Sequence, residues 1–295
     1  MAAFFECPDV FPLGDKYVAM ASLYNWHAGG YFTNEWFLGT ITSENKFKVE
    51  DRGLLDYGQY YAARSGGGVP QSPNGRRVLF SATGWHNPPG MGACKTQLHL
   101  IPRDIMLDTK GRITFNPIPE IAQTLRKPGV AHTLKLLSSS LAGGGAAADL
   151  DGATTVMGSS LELHLNCSGA ASTGTVGLQI LAHADKSKYT TVGYDYSAKQ
   201  LFVDHSNSGA KASTIKQVAP LAGGVESDGN AVELVLLVDR GLVESFLNRR
   251  AVISSFVSEV MAETTPTPAE RTVFVAKAPS GVTCTFAGYE LMELQ

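Results

Sequence analysis

The sequence predicts an all-β protein built from antiparallel sheets. Of its 295 residues, 31 are glycine, and threonine, serine and valine are frequent. This mix favours short strands joined by tight turns over long helices. Only 17% of the residues are charged, below the usual quarter, while 44% are hydrophobic. A chain of this length and apolar content is sufficient for two ordinary domains, each with its own core.

Strand signals follow one another through the first third of the chain. The segments carry β-branched, aromatic or alternating residues and are bounded by Gly, Asn or Pro. They are residues 16–22, 31–40, 77–82 and 95–101. Their rhythm of short strands and glycine-rich turns indicates antiparallel sheets.

The pattern changes between residues 118 and 130. Residues 118–126 have the composition of a short helical turn, which Lys127-Pro128-Gly129 is expected to end. We therefore predict a first domain over residues 1–120, a linker over 121–130 and a second domain over 131–295.

The second half of the chain predicts a β-sandwich. Its strand signals again alternate with turn residues, at a spacing that suits two packed sheets. The predicted strands are residues 160–166, 176–183, 189–194, 200–204, 231–239, 242–247, 251–257, 272–278 and 284–291.

Charge and hydropathy argue against nucleic-acid and membrane partners. The net charge is −3 with no long basic run, whereas phosphate binding needs clustered Lys and Arg. No apolar run reaches the length of a membrane span. A neutral ligand fits this charge balance better.

The cysteines and histidines predict neither a metal site nor a cofactor. Cys7, Cys94, Cys167 and Cys284 are widely spaced, with no C-x-x-C pair, and the seven histidines lack metal-ligand spacing. A disulfide framework is equally unsupported, so the four cysteines are expected to be small buried or half-buried residues.

Glu6 is the first carboxylate with a suggestive setting. It follows the aromatic pair Phe4-Phe5, which is expected to desolvate it partly, as a general acid requires. Taken alone, a glutamate near a terminus is more often a solvated surface residue. Asp9 is not predicted as its partner, because residues three apart on an extended strand point to opposite faces.

Glu6 opens a series of motifs that together identify a family. They are E-C-P-D (residues 6–9), L-L-D-Y-G-Q-Y-Y-A (54–62), R-R-V-L-F-S-A-T-G-W (76–85), L-I-P-R-D (100–104), V-D-H-S-N-S-G (203–209) and D-R-G-L-V-E-S-F-L-N (239–248). In this order they resemble glycoside hydrolase family 32, which comprises invertases, fructanases and levanases. The resemblance extends over nearly the whole chain, and the first and last motifs are its most specific parts.

The resemblance implies a fold and a reaction. The family fold is a five-bladed β-propeller followed by a β-sandwich, and the reaction is hydrolysis of terminal β-fructosyl bonds, as in sucrose or fructans, with retention of configuration. Such an enzyme uses one carboxylic acid to protonate the leaving oxygen and a second carboxylate as nucleophile. By the resemblance, Glu6 is the acid/base, and sucrose or a fructan-type carbohydrate is the partner.

The nucleophile implied by the resemblance is an aspartate in a W-x-N-D-P-N-G-type segment, and this sequence contains no such segment. The family's R-D-P motif is also absent, since Arg103-Asp104 precedes Ile105. Residues 1–117 supply only about half of the blades, so we expect an N-terminally truncated, partial propeller that is inactive alone. A second chain that supplies the missing blades is one possible partner. The alternative is a non-catalytic carbohydrate-binding remnant or accessory chain.

Three further residues are predicted to bind substrate: Asp56, Tyr57 and Trp85. Each has a structural alternative, since the family's aspartate at Asp56 mainly fixes a turn and aromatic residues in strand-rich domains are more often core. Asn166-Cys167-Ser168 fits a glycosylation sequon, which matters only in a secreted protein. Family members are mostly secreted or vacuolar, but the first residues lack the features of a signal peptide, so the compartment stays open.

Overall fold

The computed structural model describes residues 4–25, 31–66, 76–83, 98–136, 156–209, 216–257, 272–275 and 278–292. Within these ranges the chain forms nineteen β-strands, one α-helix and one short 3-10 helix. Every strand pairing between these elements is antiparallel. The predicted all-β class is therefore confirmed.

The described residues up to Ile118 form one compact unit with two four-stranded sheets. In each sheet the strands lie side by side in the order of the sequence. The first sheet contains β1 (Phe4–Leu13), β2 (Lys16–Asn25), β3 (Tyr31–Ile41) and β4 (Phe47–Leu54). The second contains β5 (Tyr61–Ser65), β6 (Arg77–Ala82), β7 (Arg103–Leu107) and β8 (Ile113–Pro117). Propeller blades are four-stranded sheets of this kind, so the two sheets agree with the predicted partial propeller.

Alternation builds the first blade. Val18 and Met20 of β2 are buried on one face, and Gly14 makes the tight turn from β1 with a positive φ of 63°. The predicted strands 16–22, 31–40 and 77–82 correspond to β2, β3 and β6. Most of the predicted strand 95–101 lies outside the described residues; of the rest, His99 forms a single bridge with Ala82.

The described residues from Pro119 onward form a second compact unit with two larger sheets. The six-stranded sheet has the order β17-β16-β15-β10-β19-β9, and the five-stranded sheet has the order β14-β13-β12-β11-β18. The strands are β9 (Arg126–Leu136), β10 (Ser160–Ser168), β11 (Thr175–Ala182), β12 (Thr190–Asp195), β13 (Gln200–Asp204), β14 (Gln217–Pro220), β15 (Ala231–Asp239), β16 (Leu242–Leu247), β17 (Ala251–Phe256), β18 (Thr272–Val275) and β19 (Thr283–Leu291).

Each sheet of this unit turns an apolar face inward. On β10, Leu161, Leu163 and Leu165 are buried, and Val176 and Leu178 of β11 are buried in the other sheet. From Leu163 to Ser168 of β10, buried residues alternate with more exposed ones, as is typical of sandwich sheets. The predicted β-sandwich is thereby confirmed.

Two strands that include a proline were not predicted from the sequence. The predicted helical turn forms as α1 (Pro119–Leu125), but β9 begins directly after it and continues through Pro128, where the sequence predicted a break. β14, which ends at Pro220, was not predicted at all. Both strands are at the edge of their sheet, where a proline removes no essential hydrogen bond.

The expectation that no disulfide forms is wrong. Cys167 of β10 and Cys284 of β19 are directly opposite in the strand register, with their Cα atoms 4.0 Å apart, and form a disulfide. They are 117 residues apart in the sequence, so spacing alone does not pair them. Cys7 is a free thiol, and Cys94 lies outside the described residues.

A charged cluster lies near the start of β9. Arg126 donates two hydrogen bonds to Glu162 of β10, both 2.7 Å long, and His164 Nε2 lies 2.7 Å from the same carboxylate. The Arg126 guanidinium also stacks on the ring of Tyr289, 3.6 Å from its centroid. Burial alone would raise the pKa of Glu162, but the bonds and charges of His164 and Arg126 outweigh it and lower the pKa to about 2.

Replacing both Cys167 and Cys284 by alanine is expected to lower the free energy of unfolding of the second unit by about 4 kcal/mol, since the disulfide closes a long loop in the unfolded chain. Calorimetric unfolding of the variant and of the Cys7→Ala control measures this. Equal stability of wild type and double variant would contradict it.

Glu162→Gln is expected to remove an acid-sensitive part of the stability. A carboxylate whose pKa is lowered on folding stabilises the fold above its ordinary pKa of 4.5, and this contribution disappears as the pH falls toward 2. We expect about 2 kcal/mol after allowing for the partly exposed partners. The difference in melting temperature between wild type and variant should therefore shrink from pH 6 to pH 2.

The matched control is Glu226→Gln, because Glu226 forms an ion pair with Lys199 in which both side chains are 52% exposed. This variant should follow the wild type at every pH. A pH-independent difference between the wild type and Glu162→Gln would rule out the ionic contribution.

Candidate active site

A β-bulge follows Glu6 in β1. Glu6 pairs with Ser22 of β2, but the next register pair is Asp9 with Met20, so Cys7 and Pro8 together oppose the single residue between them. Cys7 has a φ of 48°, a left-handed conformation that a residue with a side chain seldom adopts. Bulges of this kind re-aim side chains and are frequent beside active sites.

β5 contains a second bulge with a left-handed residue. Tyr61 pairs with Ala82 of β6, the register then shifts before Arg64, and Ala62 has a φ of 54°. Glu6 and Tyr61 thus each stand directly before a left-handed residue in a bulged strand. The Tyr61 hydroxyl donates a 2.5 Å hydrogen bond to Glu6 Oε2.

Glu6 is exposed in this site, while Tyr61 is buried. The expected desolvation by the preceding aromatic pair is wrong as far as Phe5 is concerned, since Phe5 is itself 68% exposed. What holds the carboxylate is therefore a hydrogen bond from the neighbouring sheet rather than an apolar pocket.

Asp9 also contacts β5, contrary to the expectation that it faces away from Glu6. Its Oδ2 accepts hydrogen bonds from the backbone N–H of Ser65 at 2.7 Å and from the Ser65 hydroxyl at 2.5 Å. Arg77 Nη2 donates to the same hydroxyl at 2.8 Å. The extra residue of the bulge cancels the alternation rule, so two side chains three residues apart both reach the same neighbouring strand.

Asp56 lies in a buried ion pair. Its Oδ2 is 2.8 Å from Arg103 Nη1, with both side chains at most 1% exposed, and its Oδ1 accepts the Gly58 N–H at 2.6 Å. The Arg103 guanidinium also lies 4.0 Å from the centroid of the Tyr60 ring. These contacts fix the turn between β4 and β5, which is the structural role that the sequence left open for Asp56; its sugar-binding role stays a prediction.

The two predicted aromatic contacts stand differently. Tyr57 is half-buried, and this burial raises the pKa of its hydroxyl. Trp85 lies outside the described residues. Substrate binding by either residue stays a prediction.

Asn34 of β3 holds this turn segment in place. Its side-chain oxygen accepts hydrogen bonds from Ser22 at 2.7 Å and from the Ala63 N–H at 3.3 Å, and its amide nitrogen donates to the Tyr60 carbonyl. Asn34 is buried, so its loss would leave these groups unsatisfied. The first sheet thereby positions the start of β5, and with it Tyr61.

Sequence reasoning missed Tyr61, Ser65 and Asn34. The Y-Y-A motif contains the relevant signal, because adjacent residues at the start of a strand point to opposite faces. In the structure one tyrosine of the pair, Tyr60, packs under Arg103, and the other, Tyr61, reaches Glu6. The bulge determines which tyrosine contacts Glu6, and no residue type in the sequence marks the position of that bulge.

The described ranges contain no group of three or more His, Cys, Asp or Glu side chains that could bind a metal ion. In the same part of the chain, no helix is long and apolar enough to cross a membrane.

Comparison with known proteins assigns both units. Residues 1–117 match the glycosyl hydrolases family 32 N-terminal domain, and residues 122–276 match the glycosyl hydrolases family 32 C-terminal model. The levanase of Bacillus subtilis (strain 168) is 28% identical over 268 residues, which cover 83% of this chain and 37% of the levanase. The β-fructofuranosidase insoluble isoenzyme 4 of Oryza sativa subsp. japonica is 26% identical over 303 residues, with 82% of this chain and 48% of that protein covered.

Solved structures share the fold. The exo-inulinase from Aspergillus awamori has a TM-score of 0.71 at 21% identity, covering 98% of this chain and 57% of that one. Fructan 1-exohydrolase IIa from Cichorium intybus has a TM-score of 0.70 at 16% identity, covering 100% of this chain and 63% of that one. The chain spans less than half the length of the curated relatives named above. Because one family model alone covers more than half of the chain and the other covers most of the rest, the chain belongs to glycosyl hydrolases family 32.

Proposed function

We propose that Glu6 is the acid/base of a retaining β-fructosidase site that acts on terminal β-fructosyl bonds of sucrose or fructans. The observation that carries the proposal is the bulged pair of strands that brings Glu6 and Tyr61 together. The names of the relatives point to the same substrate class, since they include a levanase, an exo-inulinase and a β-fructofuranosidase. Related structures hold sucrose or 1-kestose.

In the proposed reaction Glu6 acts twice. Its protonated form donates to the glycosidic oxygen as the bond to the fructosyl carbon breaks and a carboxylate nucleophile attacks that carbon. Its carboxylate then takes a proton from the water that releases fructose and restores the nucleophile. The Tyr61 hydroxyl, hydrogen-bonded to Oε2, holds the carboxyl group in one orientation through both steps.

We further propose that the nucleophile comes from polypeptide outside these 295 residues, in the same gene product or in a second chain. The absence of a W-x-N-D-P-N-G-type segment in the sequence supports this. Asp9 does not replace the nucleophile, because its Oδ2 is engaged by Ser65. Asp56, Tyr57 and Trp85 remain the proposed sugar-binding residues. The same sequence observation also favours the alternative, a chain that binds fructans without cleaving them.

The purified chain alone is expected to release no fructose from sucrose or inulin. Co-expression with the part of the Aspergillus awamori exo-inulinase that this chain does not cover should restore hydrolysis. In that complex, Glu6→Gln should reduce kcat on sucrose by about 10³-fold, the usual contribution of general-acid catalysis. The loss should be much smaller with β-fructosyl fluoride, whose leaving group needs no proton.

The outcomes separate the proposals. Hydrolysis by the chain alone that Glu6→Gln abolishes would retain the role of Glu6 and overturn the external nucleophile. Equal losses on sucrose and on the fluoride would overturn the acid role. Calorimetric binding of 1-kestose without turnover, alone or in the complex, would favour the binding function.

Tyr61→Phe is expected to lower kcat of the restored enzyme about tenfold with little change in KM, because a hydrogen bond to a charged group contributes about 1.5 kcal/mol. The phenyl ring keeps the packing of this buried side chain, so the melting temperature should barely change. Tyr17→Phe on β2 is the matched control and should leave kcat intact. Equal kcat values for Tyr61→Phe and the wild type would contradict the positioning role.

A further inference from the structure

Asn166 lies at the exposed face of the six-stranded sheet, near the end of β10. Its side chain is exposed, whereas those of Leu165 and Cys167 on either side of it are buried. Asn166-Cys167-Ser168 is the single N-x-S/T triplet in the whole sequence. The structure thus presents to solvent the one asparagine that satisfies this motif.

The surroundings of Asn166 leave room for a large polar substituent. Its register partners are Glu233 of β15 and Thr285 of β19. Thr285 is exposed, and Glu233 forms a solvent-exposed ion pair with Arg249. Within the described part of the chain, the backbone carbonyl of Asn166 accepts a bond from the Thr285 hydroxyl, while its side-chain amide has no hydrogen-bond partner. Modification of that amide therefore costs the folded sheet no internal bond.

The neighbouring disulfide indicates the compartment. A disulfide that joins two central strands of a sheet forms and persists in oxidising environments and is rare in the cytosol. Asparagine-linked glycosylation takes place in one such oxidising environment, the lumen of the endoplasmic reticulum. The sequon and the disulfide share residue 167, so one compartment accounts for both.

The order of synthesis favours modification before pairing. Cys284 follows Cys167 by 117 residues, which takes roughly ten seconds at ordinary rates of synthesis. β19, which covers one side of β10, is completed only with those residues. The β19 side of Asn166 is therefore still open before the disulfide closes beside it, which keeps the asparagine accessible.

From these observations we propose that Asn166 carries an asparagine-linked glycan. The Asn166 amide nitrogen bonds to the anomeric carbon of an oligosaccharide carried on a polyprenyl diphosphate. The sugar–diphosphate bond breaks, the polyprenyl diphosphate leaves, and the amide proton passes to the transferase. The folded sandwich then holds the glycan at its exposed face with the Cys167–Cys284 disulfide intact.

The test uses the full 295-residue chain behind a cleavable secretion leader in yeast, with the secreted and the membrane-enclosed pools analysed together so that poor export does not hide the result. Intact mass should show one glycan, and peptide N-glycosidase should remove it and leave an aspartate in place of Asn166. Asn166→Gln and Ser168→Ala should abolish the modification. Ser168→Thr keeps the sequon, and Asn207→Gln alters another exposed asparagine, so both should leave it unchanged.

Two results would overturn the proposal. The first is an unmodified mass for the wild-type chain recovered from the lumen. Glycosylation of a Cys284→Ser variant, which cannot form the disulfide, would not rescue the proposal in that case. The second is a glycan found only on molecules whose tryptic map lacks the peptide pair joined by Cys167 and Cys284, because the folded sandwich would then exclude the modification. A glycan on disulfide-bonded molecules that Asn207→Gln retains and Asn166→Gln lacks is the expected result.

Discussion

The bulge directly after Glu6 determines which side chains of β1 reach β5. Without it, Glu6 and Asp9 would alternate to opposite faces, and the first sheet would offer β5 one carboxylate rather than two. With the extra residue, Glu6 meets Tyr61 and Asp9 meets Ser65. The left-handed backbone at Cys7 is unfavourable by about 1 kcal/mol or more and persists only because both flanking contacts hold it. Strain and site are therefore parts of one arrangement.

That arrangement needs a rigid support, and the segment between the two sheets supplies it. The Asp56–Arg103 pair is almost completely buried, and removing one partner of such a pair typically costs about 3–5 kcal/mol, because the other charge is left uncompensated. Asn34 adds a second anchor from β3. Tyr61 is the first residue of β5, so the Asp56–Arg103 pair and Asn34 together fix its position.

The sequence predicted what depends on local pattern. Alternating residues placed the strands 200–204, 231–239 and 242–247 at the bounds that the structure shows. The prediction from sequence was wrong where contacts between distant parts of the chain override a local pattern. Pro128 did not end β9, because β9 lies at the edge of its sheet, where a proline is tolerated. Cys167 pairs with Cys284 because the strand register places them opposite each other, which their spacing in the sequence does not reveal. At the candidate site, the motif predicted Glu6 as the acid/base, but the bulge that lets both Glu6 and Asp9 reach β5 contains no glycine.

Three carboxylates of this chain differ in the hydrogen bonds and charges that engage them. Glu162 has Arg126 and His164 bonded to it, and its lowered pKa makes it a poor proton donor at neutral pH. Asp56 is buried against Arg103 and Gly58. Glu6, in contrast, is exposed and receives from the described residues one hydrogen bond, from a neutral hydroxyl. The proposed acid/base has to gain and lose a proton in each catalytic cycle, and of these three carboxylates Glu6 alone has no cation bonded to it among the described residues.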